Sequence, residues 1–516
     1  MNHNERQKDM TGPVVISGRR VLPVAEMKER AARLASGLRQ LGVGPGDRYA
    51  IMMRNETGML EATFAASLIG AVPVPVNWHW TGADLRHLLS DSQAKVVVVH
   101  SDLVPIVEAQ KPERLRIVEV AVPPEVAEEF ALGTVAPTGR YPMAEQLIED
   151  NDPPAESVLT PPMSVIYTSG TTGLAKGVLR DPIAPEKAGD IAGLLRQVVG
   201  FRAGGTAVIP APLYHTAPNV AATYALAMGM SLVIMPKFDA EQFLRVVAEH
   251  RATAAQMVPT MFVRLLRLPQ DIREKYDLSS LENVSHSAAP CPPDIKRAMI
   301  DWFGPTISEY YGGSEGGAWT VCTSEQWLAH PGTVGAPVGD AAIRILGPDR
   351  TEVPAGETGV VYGRPPSAWP DFTYLGDDAK RRAIDAGDGF YTLGDVGHVD
   401  KDGYLYLSDR LNDMVISGGV NIYPVEIENT VLGLAGVADV AVFGIPDADF
   451  GEALAAHVEL LPDATVTEDQ VREHVERNLA KYKVPKVVVF EARLPREDSG
   501  KLFKRRLREQ YWPAHG

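Results

Sequence analysis

The sequence predicts an α/β protein of more than one domain, and three observations carry that prediction. Its 516 residues exceed what one core usually organises, since domains run about 100–200 residues. Helix-period and strand-like signals alternate over roughly the first 150 residues, a texture of strand–helix–strand units. Within it, Val96-Val97-Val98-Val99 shows no polar alternation, which suits a strand covered on both faces in a parallel sheet. Met27, Ala31, Leu34, Leu38 and Leu41 recur at spacings of four and three, one face of a helix, and Gly42 stands where a C-cap belongs. A strand over Tyr49–Met53 follows, then a helix near Met59–Leu68 stopped by Gly70. A strand near Ala71–Val76 and a helix around Ala83–Leu89 complete the pattern.

The texture changes at about Val334. Glycine and proline become frequent, and short β-like runs (Gly359–Tyr362, Tyr404–Leu407) lie between turns such as Asp400-Lys401-Asp402-Gly403. A β-rich subdomain over about 334–409 is expected to close a large N-terminal domain, residues 1–409. Beyond it come a β-branched run at Val440–Val442, a strand candidate at His457–Leu460, a helix over Glu468–Leu479 and a terminal basic helix. These predict a small, separate α+β domain over 410–516, with the polar stretch Ser408-Asp409-Arg410-Leu411-Asn412-Asp413 as the boundary.

Composition narrows the function classes. With 45% hydrophobic and 22% charged residues the chain reads as a soluble globular protein. Fifty basic against 66 acidic residues give a net charge of −16, the wrong sign for a nonspecific nucleic-acid binder. Cys291 and Cys322 form no CxxC pair, so two buried, reduced thiols are expected rather than a metal site. The opening Met1-Asn2-His3-Asn4-Glu5-Arg6 lacks an apolar secretion segment, and the last residues carry no Ser-Lys-Leu address. Ala217–Met235 is the most apolar stretch, but Asn219, Thr223, Tyr224 and Gly229 interrupt it. A buried helix followed by a core strand is expected there, not a transmembrane segment, which needs about 20 apolar residues. A cytoplasmic protein is the expectation.

The chemistry starts at a glycine-rich loop. Ser164–Thr168 reads as a strand running into Ser169-Gly170-Thr171-Thr172-Gly173-Leu174-Ala175-Lys176-Gly177. Three glycines let backbone N–H groups turn toward an anion. Thr168, Ser169, Thr171 and Thr172 add hydroxyls, and Lys176 adds charge. Gly-Lys-Ser/Thr is absent and no helix start follows, so this is not a Walker A loop. Composition alone leaves a flexible surface connection as an equal reading.

Tyr167-Thr168-Ser169-Gly170-Thr171-Thr172-Gly173-Leu174-Ala175-Lys176-Gly177 resembles the signature loop of the adenylate-forming superfamily, which includes acyl-CoA synthetases, peptide-synthetase adenylation domains and firefly luciferases. Ala175 departs from it where proline is usual, implying a looser loop. Further motifs follow in the family's order from roughly Arg30 to Leu507. Ser287-Ala288-Ala289-Pro290 resembles the adenine-wall segment. Tyr310-Tyr311-Gly312-Gly313-Ser314-Glu315 resembles Tyr-Gly-x-Thr-Glu with serine for threonine. By that resemblance Tyr311 and Gly312 lie at the adenine, Ser314 contacts phosphate, and Glu315 holds Mg²⁺, an ion that prefers hard oxygen ligands. Tyr391-Thr392-Leu393-Gly394-Asp395 is similar to the Thr-Gly-Asp segment with Leu393 inserted, which implies a ribose-binding Asp395 and a second ribose contact at Arg410. The family's hinge position falls on Asn412. Pro495-Arg496-Glu497-Asp498-Ser499-Gly500-Lys501-Leu502 resembles the final motif, whose lysine, here Lys501, serves adenylation. Taken without that motif, Lys501 is one more member of the basic run Lys504-Arg505-Arg506-Arg508.

The resemblance implies two steps. A carboxylate attacks the α-phosphorus of ATP, giving acyl-adenylate and pyrophosphate, and a thiol, coenzyme A, then takes the acyl group and releases AMP. Positioning and charge neutralisation are the expected means. The C-terminal domain is expected to rotate between the steps, with Ser417, Gly418 and Gly419 on the face used by the pantetheine arm. His215 matches the position gating the acyl pocket; a structural histidine is the competing reading. That pocket is expected at Asn219-Val220-Ala221-Ala222-Thr223-Tyr224, Gly312-Gly313 and Gly316-Gly317. Small and apolar residues there fit a medium- or long-chain fatty acid, or a bulky aromatic or alicyclic acid, better than acetate; alternatively the small residues only permit close packing. An enzyme that loads a carrier protein and a non-catalytic nucleotide-binding relative are the alternatives to a free-standing acyl-CoA ligase, and the chain's end shortly after Lys501 favours the ligase. A homodimer is compatible with the family.

Overall fold

The computed structural model describes residues 12–155, 162–168, 175–411, 413–417, 420–496 and 502–512, with the side chains of Arg410 and Asn421 outside that set. The helix expected on the Met27–Leu41 stripe spans Val24–Gln40 and buries Met27, Ala31, Leu34 and Leu38. Gly42, at φ +80°, turns the chain out of it, a conformation that favours glycine. The next helix, Thr57–Ile69, ends on left-handed Gly70. Strands Val72–Pro75, Arg48–Met52, Val96–His100 and Arg116–Val120 form a parallel sheet in that order. Val96 and Val98 pack into one core, Val97 and Val99 into another, so the unbroken valine run is covered on both faces.

A nine-stranded sheet forms the centre of the larger domain. Its helices and strands used below are α1 (Ala188–Val199), α2 (Thr216–Ala227), β1 (Ala254–Met257), β2 (Asn283–His286), β3 (Ile307–Gly313) and β4 (Gly317–Cys322). β1, β2 and β3 are parallel neighbours, while β4 returns antiparallel to β3. The apolar stretch after Ala217 resolves into α2 and the core strand Ser231–Ile234, as its polar interruptions predict. α1 and α2 cover one sheet face with Leu194, Leu195, Val198, Val220 and Ala221, and Ala254 of β1 joins them. Ala255 and Met257 pack into the cluster on the opposite face, because successive strand residues alternate.

The glycine-rich later chain folds as an antiparallel sheet of Ala342–Leu346, Gly359–Arg364, Phe390–Val399, Asp385–Gly387 and Leu405–Arg410. The smaller C-terminal domain pairs Val437–Asp447 with Gly451–Leu460 and adds Val487–Glu491 in parallel. Helices Pro424–Leu432 and Glu468–Asn478 complete its core through Ile427, Val431, Val471 and Val475. Among the bonds that join it to the larger domain, Arg267 Nη2 donates to the Ala438 carbonyl at 2.9 Å, and the Val425 N–H donates to Asp409 Oδ2 at 3.1 Å. Among the described residues no helix is long and apolar enough to cross a membrane.

Candidate active site

A cleft of about 2930 Å³ gathers most of the described residues that the sequence singles out. The strand Ile166–Thr168 pairs antiparallel with Lys176–Arg180, setting Thr168 opposite Lys176. Both residues line the cleft. Ser169, Gly170, Thr171, Thr172 and Gly173 lie outside the described residues. Ala175, where proline is usual, is anchored by its carbonyl, which accepts from His87 Nε2 at 2.8 Å. Lys176 Nζ stands 5.9 Å from the centre of the Tyr374 ring, and the Tyr374 hydroxyl donates to Glu315 Oε1 at 3.0 Å.

The β3–β4 hairpin presents the second motif. Its register shifts between Tyr311 and Gly312, a bulge that re-aims the following residues. A side chain on Gly312 would meet the Gly317 carbonyl oxygen at 1.8 Å, so only glycine fits. Past the bulge, Ser314 Oγ lies 2.6 Å from Thr216 Oγ1 at the start of α2. The Tyr311 hydroxyl donates to Asp395 Oδ2 at 2.7 Å, and Asp395 stands in register with Arg410 on the neighbouring strand. The expected adenine and ribose residues therefore form one wall. Ala288, Ala289 and Pro290 line the same cleft, and Ala288 holds φ +74°, a left-handed geometry uncommon outside glycine. His215 is the residue before α2, its N–H donating to the Pro212 carbonyl at 3.1 Å, and it lines the cleft beside Tyr214.

Sequence reasoning missed a buried cation beneath this hairpin. Arg180, 2% exposed, donates through Nη1 to the Ser314 carbonyl at 2.6 Å and through Nη2 to the Ser164 carbonyl at 2.7 Å. It thus ties the hairpin to the strand entering the glycine-rich loop. Burial lowers its pKa to about 10, against the opposing field of Glu315. A lone arginine after the loop motif gave no signal of this.

Other expectations are corrected. Of the six residues from Asn219 to Tyr224 only Val220 and Ala221 line the cleft. Asn219 instead accepts from Ser164 Oγ and donates to the Leu213 carbonyl, because α2 exposes only one face to the cavity. Gly316 is likewise off the cleft wall; its Cα faces Tyr391 and Trp319. The apolar wall comes from Leu194, Leu195, Val198 and Val199 of α1, whose period-3.6 pattern marks a buried face without saying what it faces. Ser417 pairs with Val420 and Gly451 inside the C-terminal sheet and does not line the cleft, so the structure does not bring it to the other site residues. Gly418, Gly419, Asn412 and Lys501 lie outside the described residues, while Arg496 and Leu502, which belong to the final motif, pair in a bridge and line the cleft. Cys322 is buried but Cys291 is half-buried at the cleft edge; burial raises both thiol pKa values.

Residues 3–369 match the AMP-binding enzyme family, and residues 426–501 match the AMP-binding enzyme C-terminal domain. The chain belongs to the AMP-binding enzyme family. This AMP-binding enzyme is 31% identical over 499 residues to the long-chain-fatty-acid–CoA ligase FadD13 of Mycobacterium tuberculosis, covering 94% of this chain and 92% of the relative. It is 33% identical over 500 residues to a feruloyl-CoA synthase of Amycolatopsis, covering 96% and 95%. Its fold superposes on ATP-bound MatB from Rhodopseudomonas palustris with TM-score 0.82, 28% identity and 99% coverage of both chains. The AMP-binding enzyme is thus an AMP-forming acid–thiol ligase of the acyl-CoA synthetase type, with a large N-terminal and a smaller C-terminal domain.

Proposed function

We propose that this ligase activates a bulky, largely apolar carboxylic acid, either aromatic or alicyclic or a medium- to long-chain fatty acid, and transfers it to coenzyme A. One observation carries the reading. The cleft lined by Thr168, Lys176, Glu315, Tyr311 and Asp395 is also lined by an apolar group, Leu194, Leu195, Val198, Val199, Val220 and Ala221. Burying apolar surface against such a wall stabilises binding by roughly 25 cal/mol per Å², which acetate is too small to use.

The division of labour follows from the residue types. Tyr311 and Asp395 suit adenine and ribose, Thr168, Lys176 and Ser314 suit the phosphates, and His215 suits the acyl entrance. Glu315 fits a magnesium ion: Oε1 takes the Tyr374 hydroxyl, and the carboxylate is a hard oxygen donor at the cleft. Bound there, magnesium would neutralise phosphate charge. Arg410 suits a second ribose contact. Lys501 supplies the cation for adenylation, and Ser417, Gly418 and Gly419 serve the pantetheine arm after the C-terminal domain, residues 410–516, rotates about Asn412. The enzyme is assigned to the cytoplasm.

Pyrophosphate release measured over acids graded in length and bulk tests the substrate class. Apolar acids of six carbons or more should exceed acetate at least about tenfold in kcat/KM; equal efficiency with acetate would overturn the assignment.

A further inference from the structure

The apolar compartment has one polar corner. Gln256, in the middle of β1, shares its sheet face with Ala254, which packs with α1 and α2, so its amide points to the acyl side of the sheet. It is fully buried and lines the cleft. Its Nε2 donates to the Met257 carbonyl at 3.1 Å. That bond fixes which end is which, since a flipped amide would set two carbonyl oxygens against each other. The remaining acceptor, Gln256 Oε1, has no partner among the described residues. Buried polar side-chain atoms are nearly always hydrogen-bonded, and leaving one unmade is costly.

Tyr310 of β3 stands on the same face. It packs against the α1–α2 core and lines the cleft. Burial raises its phenol pKa while the Ser287 and Gln256 side chains facing it pull the other way, so its hydroxyl is kept protonated at neutral pH. Ser287, also buried, lines the cleft beside it. Tyr310 precedes Gly312 by two residues, about 7 Å along the strand. The corner therefore lies deeper than the phosphate-binding hairpin tip, on the acyl side.

We propose that the acid carries a hydroxyl group on its apolar body, which donates to Gln256 Oε1 and pairs with the Tyr310 phenol. The group must be a donor, because the open position is an acceptor. A phenolic or alicyclic alcohol meets this; a plain hydrocarbon chain leaves Gln256 Oε1 unpaired. The inference rests on the ligase reading above and narrows its substrate class. A site built around a substrate hydroxyl rejects the analogue lacking it far more strongly than an apolar pocket rejects a small change in size.

The test uses acylsulfamoyl-adenosines made from 3-phenylpropanoic acid and its three ring-hydroxylated forms. Affinities are measured by calorimetry, with pyrophosphate release from the parent acids alongside. In the full-length enzyme at least one hydroxylated analogue should bind about 10- to 100-fold more tightly than the unsubstituted one. Gln256→Leu should abolish that preference by weakening the hydroxylated analogue and strengthening the other, and Tyr310→Phe should reduce it. A hydroxyl that gives no preference in the unmodified enzyme overturns the inference, as does a Gln256→Leu variant that keeps the preference. If Gln256→Leu fails to fold, the unmodified enzyme and Tyr310→Phe decide. Turnover of hydroxylated and unsubstituted acids at equal efficiency removes the hydroxyl requirement alone. Absence of pyrophosphate release and of analogue binding throughout would remove the ligase reading with it.

Discussion

Gly312→Ala is a one-carbon change whose effect can be worked from distances. The added Cβ would stand 1.8 Å from the Gly317 carbonyl oxygen, 2.9 Å from its carbon and 3.1 Å from the Ala318 Cα. These neighbours are backbone, so no side chain can swing aside. Ordinary contact begins near 3.4 Å, and the difference from 1.8 Å requires the strands to separate by about 1.6 Å. The Gly312–Ala318 and Gly313–Gly317 pairings would have to yield, and Ser314 and Glu315 ride on that hairpin. A misplacement of about 1 Å can cost on the order of 100-fold in rate. Acid-dependent ATP–pyrophosphate exchange should therefore fall at least about 100-fold. The strain is confined to one hairpin of the nine-stranded sheet, so most of the fold should remain, as judged by circular dichroism. Exchange within about threefold of the unmodified enzyme would refute the reasoning.

Asp395→Ala removes the acceptor that fixes Tyr311 at 2.7 Å and should raise KM for ATP about 10- to 100-fold, with KM for the acid little changed; an unchanged KM for ATP would take Asp395 out of the nucleotide site. Lys501→Ala should abolish adenylate formation while largely sparing thioester formation from supplied acyl-adenylate, and equal loss of both half-reactions would refute that assignment. His286 is fully buried, edge-on to Phe262, and burial first, then Lys296, lowers its pKa well below 6.5. Stability from the neutral ring is complete above pH 6.5 and is lost as pH falls toward the lowered value, by about 1 kcal/mol per pH unit. The melting temperature should drop between pH 7.5 and 5.5, and His286→Gln should flatten that dependence; an identical slope in the variant would contradict it.

Local patterns were readable where the chain announces its own burial. The spacing of Met27 to Leu38 and the valine run at Val96 gave the first helix and the parallel sheet, because each depends on which faces are covered. The glycine-rich and Tyr-Gly-x-Ser-Glu motifs located the cleft because their chemistry is local. Neither source could give Arg180, whose role comes from reaching two carbonyls in segments 16 and 134 residues away. Gln256 and Tyr310 were hidden for a related reason. They become neighbours only through the pairing of β1, β2 and β3, a long-range property. Asn219 sits in a stretch whose composition suits a pocket wall, but helix rotation exposes Val220 and Ala221 to the cleft and turns Asn219 into the packing.

The central claim, AMP-forming ligation of an acid to a thiol, is tested most directly by product analysis with ATP labelled on its α-phosphate. With an apolar acid, label should appear in enzyme-bound acyl-adenylate first, and steady AMP release should require coenzyme A and match acyl-CoA mole for mole. Label appearing in ADP, or AMP release unchanged by coenzyme A, would contradict the account.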